Sequence, residues 1–485
     1  MKQYRRFATL SFLSLLLSGC MVGPKYVKPA APMAPEFKEQ PPESFKENGV
    51  WKPAQPSDQT LRAKWWEIFG DPQLNALEEE VTVSNQNLKV AEARFRQARA
   101  TIRFNRSAEF PTISTSPSIV NERDSANQPY FPPSLTSNST GAFTLPFDLS
   151  YELDLWGKIR RTVSASKEEA QASAADLQTT NLSLHAELAV DYFELRSADE
   201  QKQLLDDTVR DYTDALNLTR NRFEVGTAPK SDVAQAQMQL DGARVQDTDV
   251  TVMRAQYEHA IATLIGKPPA QFNIAPVPKT ALKLPVIPVG LPASLLERRP
   301  DIAAGERRMA EANDQIGIAR AAFFPSLVLG AEGGFAGTTI TNWFNWPSLM
   351  WAVGPQLSQT FFDAGRRPAV SERAIANYDG TVASYRQTTL TAFQEVEDIL
   401  AALRILEKEA QQQREATSSA QESLQLFANR YEGGVDNYLQ VITAQTVLLT
   451  NQRNDIDIER RRMDASVLLV KAVGGGWDAS QLPRF

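Results

Sequence analysis

The single thiol of this 485-residue chain is Cys20, and it follows Leu17-Ser18-Gly19 directly. Small residues before a scissile bond and a thiol just after it are what lipoprotein processing requires, because the sulfur accepts a diacylglycerol. Lys2, Arg5 and Arg6 precede an apolar run over residues 7–17, which is a secretory leader too short to span a bilayer. Residues 1–19 are therefore expected to be a lipoprotein signal peptide, with Cys20 as the lipidation site. Met21 stands where an aspartate would signal retention in the inner membrane, so the lipid is expected in the outer membrane. One cysteine also excludes disulfides within the chain.

Other reactive groups are sparse. Two histidines, His185 and His259, fall inside long helical patterns, where packing or solvent exposure is the ordinary role. No phosphate-binding glycine loop, nucleophile elbow or clustered metal-ligand spacing occurs, so no catalytic residue, metal site or cofactor is expected and the chain does not read as an enzyme. Gly474-Gly475-Gly476 reads as a helix stop. Of 51 basic residues the leader takes three, leaving 48 against 58 acidic ones and a net charge of −10, which argues against nucleic acid as a partner. With 42% apolar and 22% charged residues, and no apolar run of eighteen beyond the leader, the mature chain could cross a bilayer only with β-strands.

The elements that organise these residues repeat. Asn221-Arg222-Phe223-Glu224-Val225-Gly226 returns as Asn429-Arg430-Tyr431-Glu432-Gly433-Gly434, a shift of 208 residues. Gly157 and Gly365, and Gly266 and Gly474, obey the same shift. Glu109-Phe110-Pro111 matches Phe323-Phe324-Pro325 more loosely. The expected organisation is a first repeat over residues 20–267, a proline-rich linker over 268–299, a second repeat over 300–476 and a tail over 477–485.

Each repeat carries two long helical stretches, over residues 157–223 and 231–265, then 368–431 and 437–473. Phe393, Val396, Leu400 and Leu403 step by three, four and three, the spacing of a coiled-coil seam, and His185, Leu188, Tyr192 and Leu195 are their counterparts. A continuous helix of this length would reach roughly 100 Å, so it must be a rod or a stack of helices. Gly226 and Gly434 suit the left-handed position after a helix end, and Ser231 and Asp232 are placed to cap the returning helix. Two helical hairpin tips are expected.

Between the helices the period changes to two. Over residues 143–155 the odd positions are apolar or aromatic and the even ones mostly polar; residues 351–361 alternate similarly, 327–335 more weakly, and 113–119 weakest of all. Four strands cannot close a bacterial barrel, whereas three chains would supply twelve. Trp343, Phe344, Trp346 and Trp351 fit either an aromatic girdle at a bilayer surface or a soluble core.

These features resemble the outer-membrane efflux factors of the TolC superfamily, in particular the lipoprotein branch that includes OprM and NodT. Val22-Gly23-Pro24-Lys25-Tyr26 is similar to that branch's start, as is Trp65-Trp66-Glu67-Ile68-Phe69-Gly70-Asp71-Pro72-Gln73-Leu74. The most specific match is Glu297-Arg298-Arg299-Pro300-Asp301-Ile302 with Glu306, Ala312-Asn313, Ile316-Gly317 and Phe323-Phe324-Pro325. The resemblance spans nearly the whole mature chain.

It implies a mainly α protein with transmembrane β-structure: a homotrimer whose twelve strands, four per chain, form one barrel continuous with a long periplasmic helical barrel. Such a channel is a passive conduit for small molecules, anchored in outer-membrane lipid and reaching into the periplasm. Its partners would be a periplasmic adaptor protein and an inner-membrane pump, of the resistance-nodulation-division type. The hairpin tips would form the periplasmic gate, with Ser231, Asp232, Tyr431, Asp436, Gln440 and Thr443 as its candidates. Relatives often carry aspartate where this chain has Gln440 and Thr443, which leaves Asp436 as the acidic residue of the second turn. Asp232 sits where relatives hydrogen-bond to the tyrosine that is Tyr431 here. A periplasmic adaptor lipoprotein is the alternative reading, although an adaptor has one hairpin rather than two.

Overall fold

The computed structural model describes residues 21–40, 42, 64–123, 125, 139–277, 284–287 and 297–485. Cys20, the leader, much of the linker and most of the loop between residues 121 and 140 lie outside that set.

Two short helices, α1 (Pro72–Ser84) and α2 (Gln86–Arg106), precede the first strands. Asp71 caps α1 by accepting from the Gln73 and Leu74 amides, with Pro72 at the first helical position, where no amide is needed. Asn85 both ends α1 and caps α2 through the Leu88 amide. A rod, α3 (Lys158–Glu224), then runs 67 residues without proline or glycine and is followed by α4 (Lys230–Leu264). After α5 (Pro300–Ala321) come a second 67-residue rod, α6 (Arg366–Glu432), and α7 (Tyr438–Ala472). Every boundary of α3 and α4 reappears 208 residues later in α6 and α7.

Glycine sets those boundaries. Gly157 and Gly365 precede the rods at φ of 80° and 87°, Gly226 and Gly434 follow them at 78° and 71°, and Gly266 and Gly474 follow the return helices at 70° and 94°. Each pair holds a left-handed backbone that a side chain would strain. The Asp154 carboxylate accepts from the amides of Ile159 and Arg160 at the start of α3, and Asp363 accepts from those of Gly365 and Arg367 at the start of α6. Asp154 thus caps a rod at the foot of the sheet.

One antiparallel sheet contains β1 (Thr112–Thr115), β2 (Ser118–Glu122), β3 (Thr140–Leu153), β4 (Ser326–Gly337) and β5 (Leu349–Ser358). β1 and β2 occupy one lane against β3, with Thr112 opposite Ser150 and Ser118 opposite Thr144. The weakest expected strand is therefore a lane broken at Ser116 and Pro117, because proline has no amide for the ladder. Four lanes result, in the order β1/β2, β3, β4, β5, and among the described residues each outer lane leaves one edge unpaired. No helix among the described residues is long and apolar enough to cross a membrane.

Two cores join the rods. The larger packs Trp65, Trp66 and Phe69 against Leu188, Tyr192, Phe193 and Leu195 of α3, with Val396, Leu400 and Leu403 of α6 and Val467, Leu469 and Val470 of α7. His185 completes that seam: it lies 1% exposed, stacks on Trp66 at 4.4 Å, and shares a 2.6 Å contact from Nδ1 to the buried Glu78 carboxyl. His259 is exposed. The smaller core gathers Tyr212, Leu216, Ala236 and Leu240 of the first hairpin with Tyr431, Tyr438, Val441 and Ile442 of the second, so the two tips form one body.

Candidate functional site

Both tips end their rods in the same way. The Gly226 amide donates to the Phe223 carbonyl and the Thr227 amide to Arg222; 208 residues on, Gly434 donates to Tyr431 and Val435 to Arg430. This paired closure satisfies the last carbonyls of each rod through a left-handed glycine.

The return helices begin differently from expectation. Pro229, with extended backbone, is the N-cap of α4, and no side chain caps it. Proline at the cap moves the helix start up to Lys230, so Ser231 and Asp232 lie inside the first turn instead of capping it. There the Asp232 carboxylate faces the positive end of the helix, and Ser231 Oγ donates to its Oδ1 at 3.4 Å. Asn437 precedes α7, likewise without a side-chain cap. Gln440 and Thr443 are exposed on α7, where the Thr443 hydroxyl donates back to the Leu439 carbonyl at 2.9 Å.

Tyr431 is buried, and its hydroxyl has no hydrogen-bond partner among the described residues. The expected bond between Tyr431 and Asp232 does not form among the described residues. Arg222 joins the hairpins in its place. Its guanidinium donates to the carbonyls of Tyr431 at 2.8 Å and Glu432 at 2.7 Å, and lies 4.6 Å over the Tyr431 ring. A cation against the carbonyl end of a rod gains from the helix dipole as well as from the ring face. Tyr431 in turn packs on Tyr438 at 5.1 Å. Burial, reinforced by Tyr431 and Tyr212, pushes the Tyr438 hydroxyl up to about 12.

Arg430, the counterpart of Arg222 in the second repeat, turns the other way. Its Nε meets Asp436 Oδ2 at 2.6 Å, so the acid of the second turn carries a local counter-charge. No acid stands at the corresponding place in the first turn, Ala228. Arg222 is the tip residue that pattern reading missed; the repeat marked it, but only contact geometry separates its role from that of Arg430.

Comparison with known proteins decides what kind of molecule carries these tips. The chain matches the outer membrane efflux protein family twice, over residues 77–267 and again over residues 291–475. It belongs to the outer membrane efflux protein family. It is 35% identical to the toluene efflux pump outer membrane protein TtgF of Pseudomonas putida, over 96% of each chain. Against the pyoverdine export outer membrane protein OpmQ of Pseudomonas aeruginosa it is 30% identical, covering 88% of this chain and 90% of that one. Among solved structures, the CmeC outer membrane channel of Campylobacter jejuni matches with a TM-score of 0.87 at 25% identity, over 95% of this chain and 96% of CmeC. The family consists of outer-membrane efflux channels, not enzymes, and outer-membrane location follows from membership.

For an outer membrane efflux protein the sheet's exterior is the second site of interest. Phe147, Trp351, Val353 and Leu357 are exposed on odd positions of β3 and β5. Beyond one end of the sheet Trp343 stacks on Phe344 at 4.7 Å and meets Phe143 at 5.6 Å, while Trp346 is exposed. At the other end Phe361 and Phe362 are exposed and Trp156 stacks on Phe324 at 4.6 Å. Aromatics therefore flank both ends of the apolar surface, where the sequence pointed to one.

The chain leading to Cys20 arrives at that second end. The Val22 amide donates to the Trp156 carbonyl, and the buried Arg161 donates to the carbonyls of Val22 and Pro24 while pairing with Asp314 at 2.7 Å. From there the segment descends: Lys28 pairs with Glu306, and the amides of Lys38 and Glu39 donate to Glu397.

Proposed function

We propose that this protein is the outer-membrane conduit of a tripartite efflux system, acting as a homotrimer lipidated at Cys20. The observation that carries this reading is the four-lane sheet with two unpaired edges. A sheet this small cannot close on itself, and an open, apolar-faced edge in a bilayer would leave backbone amides and carbonyls without partners. Three copies joined edge to edge supply twelve strands and leave none open. The rods then continue the barrel into the periplasm, with the tips at its inner mouth.

The tips form the gate. Ser231, Asp232, Tyr431 and Asp436 lie around the turns, with Gln440 and Thr443 on the exposed face of α7. Adaptor contact releases the tips. A shallow groove of about 490 Å³, lined by Gln239, Gln246, Thr446, Arg453 and neighbours between the return helices, suits a helical adaptor hairpin. The transporter behind it is read as of the resistance-nodulation-division type, and the cargo as small organic molecules, by likeness to efflux relatives such as TtgF.

Purified protein in planar bilayers tests this. The expected result is discrete conductance steps from a species that migrates as a heat-labile trimer. A species that fractionates with the inner membrane and gives no conductance overturns the channel reading and favours an adaptor lipoprotein.

A further inference from the structure

Helix α2 carries an uncommon charge pattern for a chain of net negative charge. Arg96, Arg99, Arg103 and Arg106 step by three, four and three, so they form a stripe along one flank. An adjoining flank carries Val90, Ala93, Ala100 and Phe104, all exposed within the single chain. Like charges at this spacing repel, and the described residues offset them little: Arg106 approaches Glu109 at 3.5 Å, whereas Arg96, Arg99 and Arg103 have no carboxylate partner among the described residues.

The stripe lines a groove of about 470 Å³ whose other walls are Ile102, Lys167 of α3 and Phe485. Five cations and two apolar side chains around one concavity suit an anionic group attached to something hydrophobic. The groove's place in the fold narrows the choice. Arg106 closes α2 four residues before Phe110, and β1 begins at Thr112, so the upper end of the groove adjoins the foot of the sheet. The groove also shares a face with the lipid-linked segment. Pro483 accepts from Gln171, Gln171 meets Arg307, and Arg307 bonds Glu306, which pairs with Lys28. That face is the outside of the channel, because the segment through Lys28 leads to Cys20.

We propose that this groove binds the phosphate headgroup of an anionic phospholipid in the periplasmic leaflet of the outer membrane, with Arg99 and Arg103 as its principal cations. The headgroup phosphate meets the guanidinium stripe in charge-assisted hydrogen bonds, and its acyl chains rise along the apolar foot of the sheet. The site is a second, non-covalent tie to the leaflet that holds the Cys20 lipid. It rests on the proposal above that the sheet spans the outer membrane.

Detergent-purified full chain, titrated with dihexanoyl phosphatidylglycerol, dihexanoyl phosphatidylcholine and inorganic phosphate, tests the assignment, alongside Arg99→Gln/Arg103→Gln. Saturable binding of the phosphatidylglycerol, weak binding of the other two, and a loss of about 25-fold in the double variant, at about fivefold for each cation, are expected. Equal binding of the two lipids, or unchanged affinity in the variant, overturns the proposal. Inorganic phosphate binding as tightly as the lipid overturns it too, in favour of a free-anion site. Bilayer conductance of the same preparations reports separately on the channel: parental conductance in the variant shows an intact fold, so a lipid result cannot be mistaken for failure of the barrel.

Discussion

Arg222 of the first hairpin donates to the backbone carbonyl of Tyr431 in the second at 2.8 Å while its guanidinium lies over the same residue's ring. One cation thus ties two rods together at their free ends, across a shift of 209 residues in the sequence. Hydrogen bonds from a charged donor are typically worth about 1.5 to 3 kcal/mol, small enough for a docking partner to offset. Arg222→Ala is expected to raise single-channel conductance, and adding Tyr431→Phe with Asp232→Ala to raise it further. Parental conductance for Arg222→Ala at every salt concentration would remove Arg222 from the latch.

Charge at the second turn is divided between Asp436 and Arg430, so the selectivity of the mouth should respond to both. Asp436→Asn is expected to lower cation preference, and Arg430→Gln to raise it by freeing the carboxylate, as read from reversal potentials across a potassium chloride gradient. Both effects should shrink as salt rises, since the Debye length falls from about 10 Å at 0.1 M to about 3 Å at 1 M. A shift of the same sign in the two variants would exclude the pair from the ion path.

The register of β3 sets a test of the barrel. Phe147 is exposed on the odd face and Asp148 lies opposite Glu332 on the other. A charge facing lipid at mid-bilayer costs about 2 to 4 kcal/mol, whereas lumen substitutions are tolerated. The trimer yield of Phe147→Arg should therefore fall well below that of Asp148→Asn, and equal yields would reverse the assignment of faces.

Acylation has a direct readout, because Cys20 offers the only thiol. Mass spectrometry of the mature N-terminus should find a diacylglycerol-modified cysteine, and Cys20→Ala should lack it while still assembling some barrel. An unmodified mature N-terminus at another residue would refute the lipoprotein assignment.

The buried Glu78 and His185 pair predicts a pH dependence of stability. Burial raises the Glu78 carboxyl well above its usual range and lowers the His185 imidazole to about 4, so folding disfavours the charged form of each group. An acid whose pKa is raised on folding loses stability as pH climbs past its unfolded value near 4.5. A histidine whose pKa is lowered loses stability as pH falls below about 6.5 towards 4. Above pH 4.5 the two trends oppose each other, and the histidine trend ends near 6.5. Glu78→Gln should therefore raise the melting temperature relative to the parent at pH 8, and the gain should vanish below pH 4.5. A gain that is constant with pH would mean that Glu78 is ionised in the folded protein.

Much of the architecture was legible in the chain because local chemistry enforces it. Glycine accepts left-handed turns without strain, so Gly157, Gly226 and Gly266 and their counterparts marked the rod ends and the repeat. Period-two alternation marked β3 because one apolar face admits a single register, and the scarcity of proline marked the rods. The tips were legible as turns but not as a mechanism. Pro229 displaces Ser231 and Asp232 from the cap, and Arg222 and Arg430, which hold matching places in the repeat, diverge because Asp436 stands beside one and Ala228 occupies the matching place near the other. The pairing of His185 with Glu78 was equally hidden. Periodicity reports which face of a helix is buried, whereas the partner that meets a buried charge comes from another part of the chain, and only the packed tertiary structure brings the two together.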